Sequence, residues 1–340
     1  MAAVDDDDLG TVCVTGASGF IAGHIVAQLL ASGHRVRGTC RDPAAPSAAF
    51  LRALPQADTH LELVSADLLV DGAFDDVVTE CHAVIHTASP VILHDVVDPD
   101  VLVKPARDGT INVLQSCQKA GVKRVVVTSS FATIIFGHDH TVDPTPYTDK
   151  EWNNVSQPIK GDIAHVYRYS KVQAERAAWA FVEARDDKAS FSLVTINPPM
   201  VVGRWLPGYS RLNDSCKVLQ RMLDGSLEEV PDGGMGWIDV EDVARAHIHA
   251  LKPHANGRYL VVSESHKWID IAKMMAIRFP TAPIPTKKKI GESLKPEYDI
   301  TRTVDDLAYK PSRTIQETLA HCVISMVQAG FLPKDMLSET

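Results

Sequence analysis

The segment TVCVTGASGFIAGHIV, residues 11–26, constrains the fold of this chain more than any other. Its first five residues are apolar or β-branched, the pattern of a buried strand, and an apolar helix opens directly after two glycines. Gly16 and Gly19 permit a tight turn and a close approach of backbone to a pyrophosphate. The following helix N-terminus offers free N–H groups and the positive end of its dipole. Ala22 stands where a third glycine would allow close helix–strand packing, and Gly23 follows it. Gly16, Ser18, Gly19, Phe20 and Ile21 are therefore expected to cradle the diphosphate of a dinucleotide.

The rest of the chain repeats the strand–helix alternation. HRVRGTC, LELVSAD, HAVIHTAS, KRVVVTSS, FSLVTINP and GRYLVVS read as further strands. Helices are expected near 101–120, 162–184, 213–224, 240–251, 268–279 and 314–328. Such alternation implies an α/β fold, a Rossmann-type doubly wound parallel sheet covered on both faces. After Pro198 the pattern turns irregular and rich in Pro and Gly, which suggests a smaller C-terminal substrate lobe. The expected division is a dinucleotide-binding domain over 1–197, with 237–263 returning to it. Residues 198–236 and 264–340 form the substrate lobe.

The second strand ends RVRGTCRDP. Chains that select NAD place an acid here for the ribose 2′-hydroxyl. Here Arg37 and Arg41 precede any acid, and guanidinium groups suit a 2′-phosphate, so NADPH/NADP+ is the expected cofactor. Asp67, after the third strand and followed by Leu68, is placed to accept from the adenine amino group. In HVYRYSK, residues four apart share a helix face while residues two apart do not, so Lys171 meets Tyr167 rather than Tyr169. A lysine beside a phenol favours the phenolate and makes the tyrosine a usable proton donor and acceptor.

Composition excludes several classes. A net charge of −9 makes a nucleic-acid partner a poor fit. The six cysteines are scattered with no C-x-x-C pair, which points to a reducing, cytoplasmic setting rather than to disulfides or a zinc site. MAAVDDDDLG is acidic and lacks an apolar centre, so neither a signal peptide nor a transit peptide is expected. Asp5 to Asp8 read as a solvated arm. No apolar run approaches a membrane span. His138 and His140, and His247 and His249, lie near one another without Glu or Cys at zinc spacing, so no metal is expected.

The motifs TGASGFIAG, RGTCRDP, SADL, IHTASP, VVVTSS, YRYSK, INPPMVVG and GWIDVEDVARAHIHAL occur in order across nearly the whole chain. Together they resemble the extended short-chain dehydrogenase/reductase family. The similarity is greatest to its dihydroflavonol reductase, cinnamoyl-CoA reductase and methylglyoxal/aldehyde reductase branch. The resemblance implies a catalytic group of Ser130, Tyr167 and Lys171. Tyr167 would protonate the carbonyl oxygen as hydride arrives. Lys171 would lower the tyrosine pKa and hold the nicotinamide ribose. Ser130 would bond the developing alkoxide, with Ser129 behind it. It also implies that Thr87, Ala88, Ser89, Thr128, Ser129, Pro198, Met200 and Val201 run along the cofactor. Ser130, Phe131, Tyr167, Met200, Arg204, Asn213 and Met235 would line the substrate pocket.

Two departures bear on the substrate. HVYRY replaces the Asn-Trp-Tyr-Cys-Tyr run of cinnamoyl-CoA reductases, and Arg204 replaces the proline that commonly follows VVG. The expected activity is NADPH-dependent reduction of small or medium aldehydes and ketones. Dihydroflavonol-type and cinnamoyl-CoA-type reduction are alternatives, and so is a non-catalytic NADP-binding regulator. The expected partner is a small-molecule carbonyl substrate, with no nucleic acid and no membrane, and the chain is expected to be a monomer or homodimer.

Overall fold

The computed structural model describes residues 10–89, 98–136, 145–185, 191–291 and 293–337. Strand β1 (Thr11–Thr15) passes through the glycine turn into α1 (Phe20–Ala31), then β2 (Arg35–Cys40). Two single-turn helices, α2 (Ala49–Arg52) and α3 (Ala57–His60), lead to β3 (Leu61–Ser65) and β4 (Cys81–His86). Helix α4 (Asp100–Ala120), β5 (Arg124–Thr128), α5 (Ile163–Glu183) and β6 (Ser192–Asn197) follow. The C-terminal part holds β7 (Met200–Val202), α6 (Asp214–Leu223), β8 (Gly234–Asp239), α7 (Val240–His249), β9 (Gly257–Leu260) and β10 (Glu264–Lys267). It ends with α8 (Trp268–Arg278), α9 (Thr301–Leu307) and α10 (Ile315–Gln328).

Seven strands form one parallel sheet in the order β3-β2-β1-β4-β5-β6-β9, the expected doubly wound arrangement. The two halves wind outward from the β1/β4 pair, so a crevice opens beyond the carboxyl ends of these strands. Side chains of β5 show why both faces are covered. Val125 and Val127 pack with Val113 and Leu114 of α4 and Ala178 of α5, whereas Val126 packs with Ile25 of α1 and Val243 of α7.

The irregular C-terminal part contains more order than its sequence suggests. β7, β8 and β10 build a second, three-stranded sheet, with β8 parallel to β7 and antiparallel to β10. A division at residue 237 therefore cuts through β8; only α7 and β9 return to the main sheet. GMGWID and ESHK are too short and too polar to display an alternating pattern. Helix α9 escaped notice for a similar reason: TRTVDDL is polar and is held from outside, its Thr303 hydroxyl donating to the Leu260 carbonyl at 2.8 Å. Asp5–Asp8, His138 and His140 lie outside the described residues. Among the described residues no helix is long and apolar enough to cross a membrane.

Three histidines are sealed in the packing between sheet and helices. His86 Nδ1 and Thr15 Oγ1 are hydrogen-bonded at 2.8 Å, and His247 sits between Thr128 Oγ1 at 2.7 Å and the Val243 carbonyl at 2.8 Å. His24 stacks edge-on to Phe20. Burial pulls His86 down to about 3, and His24 and His247 down to about 4. These rings stay neutral in the fold while the unfolded chain takes up protons below pH ~6.5. Their contribution to stability is complete above that pH and is lost as pH falls toward 4, by about 1.4 kcal/mol per pH unit for each ring. Urea-unfolding midpoints measured from pH 7.5 to 4.5 are expected to fall steeply below pH 6.5. A flat profile would contradict this burial.

Candidate active site

The glycine turn lies at the crossing of the two sheet halves. Gly16 has a φ of 64°, and a Cβ there would meet the Ala88 Cα at 3.0 Å, so the turn excludes larger residues twice over. Ala88 N–H donates to Thr15 Oγ1 at 3.1 Å and Thr87 Oγ1 donates to the Thr15 carbonyl, which ties the ends of β1 and β4 together. Helix α1 starts from Gly19 with no side-chain cap and no acid in its first turn. The leading N–H groups at Phe20 and Ile21 are thus left for an anion. Arg211 donates to the Ser18 carbonyl and adds positive charge beside this turn. It stands in an irregular stretch, YSRLN, with no pattern to single it out. A bare helix N-terminus, a steric cradle and an adjacent cation fit a dinucleotide diphosphate.

The two arginines of β2 part ways. Arg37 donates to Glu62 Oε2 at 2.7 Å and to the carbonyls of Val77 and Thr79 at 2.9 Å each. Those carbonyls precede β4, at the amino edge of the sheet, so Arg37 is structural and is withdrawn as a 2′-phosphate ligand. Arg37 is in register with Glu62 of β3, so the two side chains lie on the same face of the sheet and meet. Arg41, just beyond the carboxyl end of β2, is exposed and keeps its donors for a ligand. Asp67 uses Oδ1 to accept from Leu69 N–H at 2.9 Å, and Leu68 packs against Gly109 of α4.

Helix α5 starts from Asp162, whose side chain accepts from the His165 N–H, and carries the two tyrosines. Both border the cluster of Leu102, Val103 and Val166, and Tyr167 alone also borders a second cluster beyond β5. Tyr167 lies against Phe131, Tyr147 and Met235, near enough to Ser130 for the serine hydroxyl to act on its pKa. Lys171 Nζ sits 5.8 Å from the Tyr167 ring centroid and donates to Ser89 Oγ at 3.1 Å. The expectation that Lys171 acidifies the phenol needs correction. Burial raises the Tyr167 pKa, Ser130 pulls it down and Asp214 adds to the rise, so the phenol is neutral at pH 7. Burial also pulls Lys171 down to about 8. The ammonium is directed to Ser89 and does not offset the desolvation of the phenol.

Beneath Ser130 lies a buried polar cluster that no motif announced. Glu175 is four residues after Lys171 on α5. Its Oε1 accepts from Arg258 Nε at 2.6 Å and Thr195 Oγ1 at 3.1 Å. Its Oε2 accepts from Ser129 Oγ at 2.5 Å, Thr133 Oγ1 at 2.6 Å and Asn197 Nδ2 at 2.8 Å. Burial alone would raise the Glu175 carboxyl, but Arg258 and these hydroxyls more than offset it and hold it below the ordinary carboxylate range. Asn197 in turn donates to the Ser130 carbonyl at 3.3 Å. The adjacent serines therefore divide the work: Ser129 is committed to Glu175, whereas the Ser130 hydroxyl accepts from Ala132 N–H at 3.2 Å and keeps its own proton to donate.

Phe131 and Met235 border Tyr167. Met200 Sδ accepts from Ser215 Oγ at 3.7 Å, and Asn213 caps α6 by accepting from Cys216 N–H at 2.8 Å. The Asn213 amide nitrogen is enclosed without a partner. Pro198 accepts from Phe131 N–H at 3.0 Å, which holds the β6–β7 link and buried Val201 over the end of β5. The Thr128 hydroxyl is taken by His247, leaving only its backbone for a cofactor. Arg204 is a correction. It is 63% exposed and pairs with Glu241 of α7 at 3.1 Å, so it does not line the pocket. Glu241 also binds Arg313 at 2.8 Å, an arrangement that draws Arg204 to the outer surface. His247 and His249 are engaged by Thr128 and backbone carbonyls, and among the described residues no three His, Cys, Asp or Glu converge.

Strand order and glycine turn define a Rossmann-type dinucleotide-binding protein. The chain belongs to the NAD dependent epimerase/dehydratase family, whose pattern matches residues 12–262. It is 38% identical over 309 residues to a cinnamoyl-CoA reductase of Medicago truncatula, covering 88% of this chain and 90% of that one. It is 36% identical over 332 residues to tetraketide alpha-pyrone reductase 1 of Arabidopsis thaliana, covering 96% and 98%. Among solved structures it resembles Gre2 of Candida albicans in complex with NADPH, with a TM-score of 0.82 and 33% identity over 94% of this chain and 99% of that one.

The Glu175–Arg258 pair carries a clear energetic expectation. Removing one partner of a buried ion pair leaves the other charge uncompensated and costs about 3–5 kcal/mol. Glu175→Ala should lower stability by about that amount in denaturant unfolding, and Glu175→Gln by less, since its amide oxygen still accepts. An unaffected Glu175→Ala midpoint would mean the cluster contributes nothing to the fold.

Proposed function

We propose that this chain is an NADPH-dependent carbonyl reductase that converts aldehydes or ketones to alcohols. The observation that carries this reading is Tyr167, close to Ser130 and sharing a helix face with Lys171, whose ammonium reaches Ser89 next to the Ala88 that packs on the glycine turn. When bound, NADPH supplies the hydride to the carbonyl carbon. Tyr167 gives its hydroxyl proton to the carbonyl oxygen, and burial keeps that proton in place at neutral pH. Ser130 donates to the same oxygen as negative charge develops on it. Lys171, mostly protonated at pH 7, supports the tyrosinate once the proton has left. A regulator that only bound the cofactor would have no use for this proton donor. The relatives named as reductases, and the NADPH in the Gre2 complex, support the same reading. The similarity to a cinnamoyl-CoA reductase favours a second reading, in which the carbonyl belongs to an acyl-CoA thioester.

Two experiments test it. Tyr167→Phe removes only a hydroxyl and should lose about 10²–10⁴ in kcat while NADPH still binds in a fluorescence titration. Tyr169→Phe, packed on α4, should stay within about tenfold of wild type. An inactive Tyr169→Phe with an active Tyr167→Phe overturns the mechanism. For the cofactor, charge-assisted bonds to a phosphate contribute about 1.5–3 kcal/mol. Arg41→Ala should therefore cut the NADPH over NADH preference in kcat/KM by about ten- to a hundredfold. Arg37→Ala should leave that ratio unchanged and lower stability instead. Equal use of both cofactors by the wild type would remove the assignment of Arg41.

A further inference from the structure

Arg168 follows the proposed proton donor directly and is only partly exposed. Other arginines that are partly or fully buried have their donors engaged: Arg37 by Glu62, Arg258 by Glu175, Arg302 by Asp149, Arg313 by Glu241. Among the described residues, Arg168 is the only arginine short of full exposure that makes no hydrogen bond or ion pair. Asp162, the helix cap, acts on it only through its field. Partial burial of a cation without a partner is unfavourable and calls for an explanation.

Its surroundings place it at the substrate side. The guanidinium carbon lies 4.7 Å from the centroid of the Phe136 ring. Phe136 belongs to the apolar cluster that also holds Tyr167, Phe131, Tyr147 and Met235. Phe136 has a φ of 67°, an unusual conformation for a bulky residue, and its N–H donates to the Tyr147 hydroxyl at 3.3 Å. The ring thus serves as a platform, and a guanidinium held over its face leaves its N–H donors without a protein acceptor. His165, three residues earlier and on the same helix face, holds Nδ1 enclosed with no partner. Burial lowers the Arg168 pKa, but a guanidinium stays charged at any physiological pH.

We propose that Arg168, stacked on Phe136, is an anion subsite that selects carbonyl substrates bearing a carboxylate or a comparably acidic oxyanion. The inference rests on the reductase reading above and deepens it by naming a substrate class. A planar oxyanion takes two donors from one guanidinium, and it would replace the water that the partly buried cation now has to share with an apolar wall. Phe136, which carries the guanidinium, and Tyr167 border the same apolar cluster, so the carbonyl end of the same molecule would lie across that cluster at Tyr167.

Two arms test this. In the first, kcat/KM is measured for 3- and 4-carboxybenzaldehyde and for their methyl esters, in wild type, Arg168→Gln and Arg168→Lys. The wild type should favour at least one acid over its ester. That acid-to-ester ratio should fall about ten- to a hundredfold in Arg168→Gln and less in Arg168→Lys, which keeps the charge but not the fork. An unchanged ratio in Arg168→Gln overturns the proposal. The second arm does not depend on turnover. Calorimetry follows 4-(hydroxymethyl)benzoate and its methyl ester binding to the protein saturated with NADP+. Tighter binding of the acid that is lost in Arg168→Gln supports the subsite even if no aldehyde is reduced, an outcome that would defeat only the reductase reading. Equal binding of acid and ester by the wild type overturns the subsite. NADPH titration of each variant serves as the check on folding.

Discussion

The buried pair of Glu175 and Arg258 joins the pieces on which the site depends. Glu175 comes from the helix that carries Tyr167 and Lys171, and Arg258 from the last strand of the main sheet. Arg258 also donates to the carbonyls of Asp149 and Glu151 at 2.8 and 2.6 Å and lies 3.8 Å over the Trp152 ring. One ion pair thus connects helix, sheet edge and the segment leading into α5. An ion pair this deep costs desolvation, and the return comes from geometry: every lone pair of the carboxylate that can be reached has a donor. The serines at the end of β5 inherit their orientations from it.

The cofactor end depends on a different constraint, the limited space where β1 and β4 diverge. Ala88 leaves no room for a side chain at residue 16, and α1 begins without a cap of its own. Both features are unfavourable or neutral for an isolated fold and become useful only when an anion is bound. The contrast between Arg37 and Arg41 follows from the same sheet. Successive strand residues point to opposite faces, and a position inside β2 is claimed by the neighbouring strand, whereas a position past its end is not.

The surroundings of Tyr167 are made by groups far apart in sequence. Phe131 and Phe136 follow β5, Tyr167 and Arg168 sit on α5 and Met235 on β8. They are apolar apart from the guanidinium held over Phe136.

The sequence alone determined the main sheet, its helices and the pairing of Tyr167 with Lys171, because each is a local pattern. β-Branched runs, helical periodicity and a glycine turn report on residues within one or two turns of each other. Asp162 and Asp239 cap the starts of α5 and α7, each accepting from an N–H within three residues. Only the tertiary structure decided matters of long-range partnership. The small sheet of β7, β8 and β10 was hidden because its strands are short and gain their order from each other. Arg37 and Arg204 read as ligand-binding until Glu62 and Glu241 took them up, 25 and 37 residues away along the chain. Glu175 and Arg258 carried no motif, being 83 residues apart. Whether a charge is spent on the fold or left for a ligand depends on who reaches it first, and no local pattern records that.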